Sequence, residues 1–251
     1  MNKLAVLAFA LLLFFSSMLW YLASGSLNEY LKSQIELQGH YYSGQRTTLA
    51  LANFSSNTCV ATFNQLSLAN FKHYQAQHAL IIDEVHVKLS AKQSQNLITE
   101  INEVTINNLT LNLEYKVGGI SNIEQLIQRI NLKLAQDYPE LYPEISAKIY
   151  AESNPELNAE LYTGKTAKNN PQAGPIIEHT TQKKKRGKPQ QRIIISAIKI
   201  KNLELNIIQA DSANLIKEHN INIAGIGGKE GMVINQLGGE ILLHLLKLTN
   251  K

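Results

Sequence analysis

The side chains most capable of chemistry do not form a recognisable catalytic or metal-binding pattern. The seven histidines lack the His-x-x-x-His spacing of a helical zinc pair, and we interpret them as surface or packing residues. They are His40, His73, His78, His86, His179, His219 and His244. Two carboxylate pairs, Asp83–Glu84 and Glu100–Glu103, could suit acid–base work. Both pairs recur at polar positions of a strand pattern, which indicates solvent-facing groups instead.

Nucleophile and nucleotide motifs are also missing from the sequence. It has no Gly-x-Ser-x-Gly, no Walker-type loop and no dinucleotide fingerprint. The glycine-rich stretch GIGGKEG (225–231) lacks the strand-to-helix spacing of a Rossmann turn and predicts a loop. The single cysteine, Cys59, excludes an internal disulfide framework and is expected to be inert. We therefore predict no enzyme activity, no metal and no cofactor; a hydrolase of unrecognised type would leave no residue to nominate.

A basic run, KKKRGK at 183–188, is the strongest charge feature. It supplies five of the 24 basic residues, and without it the chain carries 19 basic against 20 acidic residues. A solvated linker is one interpretation, and contact with anionic lipid headgroups or an acidic envelope partner is the other. The residues concerned are Lys183, Lys184, Lys185, Arg186 and Lys188. Behind a membrane anchor, nucleic-acid binding is not expected.

The first residues predict a membrane anchor. Residues 4–23 read LAVLAFALLLFFSSMLWYLA, without a charge, and as a helix they would span roughly 30 Å, the thickness of the bilayer core. Trp20 and Tyr21 suit the interface, and Lys3 orients the N-terminus to the cytoplasm. A signal peptide cleaved near Gly25 is the alternative. Both interpretations export the body, so we predict an anchor at 1–25 and a body at 26–251.

The body contains a repeat in steps of 19 residues. The pattern apolar-x-x-apolar-x-apolar begins at Phe63, at Ile82 and at Ile101, and it returns at Ile195. Two copies agree further, VTINNLTLNL (104–113) with IKIKNLELNI (198–207). Alternation of β-branched residues predicts strands with one buried face. The alternation changes parity within the long copies, so a bulge or tight bend at Asn108 and Asn202, with Asn in the left-handed region, would keep one face apolar.

The predicted fold class is α+β, mainly β: an N-terminal transmembrane helix followed by a meandering antiparallel sheet of bent strands with two packed helices. The capping box at Ser121–Glu124 and an apolar stripe predict a helix at 122–137. A second is predicted at 234–248, and residues 27–39 predict a helical stretch that continues the anchor. All six prolines lie within 138–191. We expect a weak strand near 145–150 and a flexible insertion at about 164–191.

The order of these segments resembles the AsmA-like proteins of Gram-negative bacteria, especially short single-module members. The matching segments are the anchor, IELQG (35–39), FNQLSLANF (63–71), IIDEVHVKL (81–89), INEVTINNLTLNLEY (101–115), NIEQLIQRI (122–130), RIIISAIKIKNLELNI (192–207) and INIAGIGG (221–228). The resemblance covers nearly the whole chain. It implies a single-pass inner-membrane protein with a periplasmic body, no catalytic residues, and a role in lipid supply to the outer membrane and envelope integrity.

The resemblance also implies an apolar β groove that holds phospholipid acyl chains. By position, its lining would be Leu66, Leu68, Val85, Val87, Val104, Ile106, Ile198 and Ile200. The family's long members build an extended groove from many strands, whereas this body has few. We therefore expect this chain to bind a lipid locally, to stack with copies of itself or with other proteins, or to have kept the fold without transport. The alternative is a structural or protein-interaction module of the envelope without a lipid ligand.

Overall fold

The computed structural model describes residues 27–90, 98–116, 119–153, 191–209 and 212–250. The predicted anchor at 1–25, most of the insertion and the basic run at 183–188 lie outside these residues. Within the described part, no helix combines the length and the apolar character needed to cross a bilayer.

Six long strands and one short strand carry the fold, with helices at both ends and between β4 and β5. A helix at 27–43 (α1) comes first. The strands are β1 (Thr47–Ser55), β2 (Val60–Ala69), β3 (His78–Leu89), β4 (Ile98–Glu114), β5 (Arg192–Gln209), β6 (Ser212–Ile226) and β7 (Met232–Val233). The other helices are α2 (Asn122–Asp137), α3 (Pro143–Ser153) and α4 (Leu237–Leu246), the last flanked by short 3₁₀ turns.

The strands form one sheet in the order β1-β2-β3-β4-β5-β6, and β7 pairs with the start of β5. Neighbours are antiparallel except β4 and β5, which are parallel. The expected antiparallel meander is therefore wrong at this one pairing. The reason is that β5 begins at the end of the sheet where β4 also begins, since Arg192 pairs with Ile98, as a parallel pair requires.

The parallel pair explains the longest sequence repeat. Residue 104 pairs with 198, and the same offset holds to the pair of 113 with 207. The two copies therefore lie side by side with matching residues in register. Asn202 donates to the Asn108 Oδ1 at 2.8 Å, and Asn206 donates to the Asn112 Oδ1 at 2.8 Å. Equivalent asparagines at one level can bridge the strands through their side-chain amides, which each carry a donor and an acceptor.

Burial along the strands follows steps of two and three residues. The buried apolar residues of β4 are Ile101, Val104, Ile106, Leu109, Leu111 and Leu113. Those of β5 are Ile193, Ile195, Ile198, Ile200, Leu203 and Leu205. All of them belong to one hydrophobic core. A regular strand would send the odd and even members to opposite faces, so both strands must change parity twice.

The first parity change crosses all six long strands along one line, which we call the central line. Backbone pairing is interrupted at Gln65, Asp83, Asn107 and Lys201 and then resumes in the same register. The predicted change at Asn108 and Asn202 is therefore in the right place, but without a bulge. The left-handed backbone falls on Gln65 (φ 53°) and Asn220 (φ 56°) instead of the two asparagines.

The second parity change lies nearer the start of β5. The register shifts between Lys88 and Leu89 of β3, and pairing between β4 and β5 skips two residues in each strand before Val104. Gly225 of β6 sits on this line. A Cβ there would lie 2.4 Å from the Ile195 carbonyl oxygen, so only glycine permits the approach.

α2 covers the sheet as its stripe predicts, with the predicted bounds. Its side chains Ile123, Leu126, Ile130 and Leu134 are buried in the core. Ser121 accepts the Glu124 N–H at 3.1 Å, which confirms the N-terminal cap.

The structure differs from two further predictions, one of a strand and one of a helix. Residues 145–150 lie in α3 and not in a strand: Pro143 occupies the first helical position, where its missing N–H costs nothing. The C-terminal helix predicted at 234–248 is present, but it is α-helical only from Leu237 to Leu246, and 3₁₀ turns at Ile234–Gln236 and Lys247–Asn250 form its two ends.

α1 seals one edge of the sheet. The Asn28 side-chain oxygen accepts the Phe54 N–H at 3.0 Å, and Glu36 accepts the Leu49 N–H at 2.8 Å. Lys32 donates to the Ala50 carbonyl at 3.3 Å. Because these groups occupy the free backbone positions of β1, another strand cannot add there without displacing α1.

Truncating α2 inside and outside the core tests this packing. Leu126 is fully buried, whereas Leu132 on the same helix is 44% exposed. We expect Leu126→Ala to lower the free energy of unfolding by about 2–5 kcal/mol, because it removes buried methyl groups and leaves a cavity. Leu132→Ala should change it by no more than about 0.5 kcal/mol. Denaturant unfolding measures both, and equal effects would contradict the assigned face.

Candidate functional site

The candidate site is the inner surface, the sheet face whose apolar side chains join the hydrophobic core. All eight predicted lining residues lie on it. Five are buried: Leu68, Val104, Ile106, Ile198 and Ile200. The other three, Leu66, Val85 and Val87, are partly exposed and pack against the same core.

These residues form rows that run across neighbouring strands. Val87 pairs with Val104, Val104 with Ile198, and Ile198 with Ile223. The next row joins Val85, Ile106, Ile200 and Ile221. Leu66 and Leu68 begin two further rows beyond the central line. The sequence repeat therefore brings distant apolar residues together on one continuous surface, as expected.

Helices cover much of this surface. The α4 side chains Leu242, Leu243, Leu245 and Leu246 belong to the same core as the rows and the α2 stripe. The expectation of only two covering helices is too low, because Tyr42 of α1 also belongs to this core, whereas α3 packs against α2. Tyr42 of α1 donates to the Asn235 carbonyl at 2.8 Å, and Tyr142 near the start of α3 donates to Glu240. Burial raises the pKa of both phenols, so both remain hydrogen-bond donors at neutral pH.

Some apolar side chains of the inner surface are only partly buried, and we call them its margins. They include Leu66, Val85, Val87 and Leu89 on β2 and β3, and Ile207, Ile223 and Met232 on β5, β6 and β7. Sequence reasoning missed Leu89, Ile223 and Met232. The alternation in INIAGI (221–226) was a usable signal for Ile223, whereas Met232 enters only because β7 pairs with β5.

The outer surface of the sheet is polar and internally bonded. A chain of side-chain hydrogen bonds follows the central line: Asn108 donates to Asp83 at 2.9 Å, Asn202 donates to Asn108, and His219 contacts the Asn202 Oδ1 at 2.9 Å. The carboxylates considered for acid–base work belong to this surface. Glu84 accepts Asn107 and lies 3.0 Å from His86.

Glu103 is held by two donors on the same outer surface. Lys199 Nζ lies 2.5 Å from its carboxylate, and Thr105 donates at 2.9 Å. The hydrogen bond from Lys199, followed by that from Thr105, lowers the pKa of Glu103. A general base poised near neutral pH needs the opposite shift, so this group fits a structural ion pair.

Cys59 and the potential metal ligands of the described residues do not form a cluster. Cys59 lies in the β1–β2 turn with φ 52°, and its thiol is 3.6 Å from the Ser56 carbonyl. The structure describes no group of three or more potential metal ligands in the residues it covers. Two open recesses have volumes of about 360 and 300 Å³; the first is lined by α2 and Phe71, the second by outer polar residues and Ile200.

No protein-family model and no curated protein sequence matches this chain. The resemblance to AsmA-like proteins therefore stands on the quoted residues alone.

Replacing Lys199 tests the outer ion pair. Because the pKa of Glu103 is lowered in the folded state, its contribution to stability is present above the ordinary glutamate pKa and is lost as pH falls through the lowered value. In Lys199→Met we expect the pKa of Glu103 to rise towards its ordinary value, as followed by NMR titration of its carboxylate.

Lys217→Met provides the matched control, since Lys217 contacts Glu204 at 2.6 Å on a neighbouring strand pair. It should leave the Glu103 titration unchanged. An unchanged Glu103 titration in Lys199→Met would contradict the assigned cause.

Proposed function

We propose that this chain is a non-enzymatic, inner-membrane-anchored periplasmic protein that takes part in envelope lipid homeostasis by holding acyl chains on its inner surface. The observation that carries the proposal is the set of continuous apolar rows with partly exposed margins at Leu66, Val85, Val87 and Ile223. Acyl chains are long and apolar, and burying them against such rows removes apolar surface from water.

The length of the strands favours an elongated ligand. β5 has 18 residues, so at about 3.3 Å per residue the inner surface is up to roughly 60 Å long. This exceeds the roughly 30 Å of one bilayer core. The length supports binding of a whole lipid tail along the strands.

The topology supports a common membrane-facing end. α1 begins beside Phe54 near the end of β1, and β5 begins at Arg192 at that same end of the antiparallel arrangement. The proposed anchor precedes α1, and the basic run at 183–188 precedes β5. The elements that follow these two segments therefore begin at one end of the fold, and we propose that the lysines and arginine of the basic run meet anionic headgroups there.

A second function is a structural or protein-interaction module of the envelope without a lipid ligand. It is favoured by the burial of Leu68, Val104, Ile106, Ile198 and Ile200, because a side chain enclosed by its own core has no surface to offer a ligand. The two functions predict different contacts for the margins, chiefly for Val85 and Val87. The first function predicts contact with acyl chains, and the second predicts contact with protein.

Site-specific photocrosslinking separates these functions. Val87 lies on the margin of the inner surface, and the next residue, Lys88, is exposed on the outer surface. With a diazirine amino acid at position 87 of the full chain in cell membranes, we expect covalent phospholipid adducts by mass spectrometry, because the margin contacts acyl chains.

The same photoreactive residue at position 88 controls for chance contact with bulk lipid. Adducts should be strongly reduced there, since adjacent strand residues face opposite sides. Equal lipid yields at the two positions, or protein adducts alone at position 87, would exclude the lipid-holding function and favour the interaction module.

A further inference from the structure

One edge of the sheet is covered by a helix, and the opposite edge is open. The β1 edge is sealed by Asn28, Lys32 and Glu36 of α1. The opposite edge is β6, which pairs with β5 on one side and with no described strand on the other. An uncovered edge strand presents unpaired N–H and C=O groups that can add another strand.

The first part of β6 is exposed over both faces. Residues 212–220 are all exposed, although nine consecutive strand residues would normally bury one face. The segment includes Leu215, 53% exposed, and Ile216, 43% exposed. Ile216 pairs with the buried Leu205 and so shares the inner side, whereas Leu215 pairs with Asn206. Apolar residues are therefore exposed on both sides of an open edge.

We propose that this edge docks a second copy of the same chain, with residues 212–220 of the two copies paired antiparallel about Ile216. The exposed segment is symmetric about this residue and ends at Asn220, whose left-handed backbone lies where pairing with β5 is interrupted. A two-fold axis perpendicular to the sheet at Ile216 would pair the whole exposed segment with itself.

The charge pattern selects this register. Centring the axis on Ile216 places Leu215 opposite Lys217 and Asn214 opposite Glu218, with no like charges facing one another. Centring it on Lys217 or Glu218 would oppose two lysines or two glutamates, which destabilises a cross-strand pair. Centring it on Leu215 would leave residues 219 and 220 unpaired.

The sealed β1 edge limits the assembly to two copies. Head-to-tail addition of β6 to β1 would generate an open series of molecules, but α1 occupies the β1 backbone groups. Pairing β6 with β6 closes after one step. The axis keeps both inner surfaces on the same side, so the apolar row that ends in Leu205 and Ile216 continues into the second copy. The inference depends on the sheet edge and holds whether or not lipid binds.

Disulfide crosslinking tests the pairing in the full chain. The only native cysteine is replaced with Cys59→Ser, and Ile216→Cys is added. Residues directly opposite in an antiparallel pair have Cβ atoms about 4.5–5.5 Å apart, close enough for a disulfide after small adjustment. We expect mild oxidation of cell membranes to give a disulfide-linked dimer of this chain.

Two controls define the surface and the register. Leu51→Cys places a thiol at a residue 56% exposed on the sealed β1 edge, and it should give no dimer. Co-expression of separately tagged Asn214→Cys and Glu218→Cys variants should crosslink the two tags, because these positions face one another in the proposed register.

A substitution gives an independent measurement. Ile216→Lys would set two lysines opposite one another, and it should convert the purified dimer to monomer by light scattering, whereas Leu51→Lys should leave the mass unchanged. Circular dichroism checks folding of both variants. Crosslinking at position 216 no greater than at 51, adducts of other masses only, or a dimer unaffected by Ile216→Lys would overturn the proposal.

Discussion

The alternating geometry of the β-strand is the constraint on which this structure depends. Consecutive side chains face opposite ways, yet β4 and β5 bury apolar residues in steps of two and three. One face can remain apolar only if neighbouring strands change parity at the same level. The central line satisfies this condition across six strands, and the hydrogen bonds from Asp83 through Asn108 and Asn202 to His219 fill it on the outer side.

The same geometry determines what the inner surface can do. Its rows are continuous because the register never slips at the central line. They are also the core of the protein, because α2 and α4 pack on them. A ligand therefore competes with the protein's own helices for the middle of the surface, and the accessible apolar area lies at the margins. The sheet is also asymmetric, because α1 seals its β1 edge whereas its β6 edge is open.

Much of the sheet could be predicted because its signals are local. The repeat at 104–113 and 198–207 located two strands, but the sequence analysis did not predict that they lie side by side in register. Ser121 and the stripe after it located α2. The parallel direction of β5 could not be inferred, since it depends on how a long insertion returns the chain. The burial of Val104 and Ile198 beneath helices could not be predicted either. It depends on helices that are distant in sequence, and the periodicity of a strand carries no information about how they pack.

A cysteine scan of β5 tests the central claim most directly. In a Cys59→Ser background, single cysteines at positions 193–207 are exposed to a water-soluble thiol reagent in the folded chain. The account predicts slow labelling at 193, 195, 198, 200, 203 and 205, with faster labelling at exposed positions such as 196, 199 and 201. Protection that alternates strictly by two residues through 193–205 would contradict the coordinated parity changes and, with them, the single apolar surface.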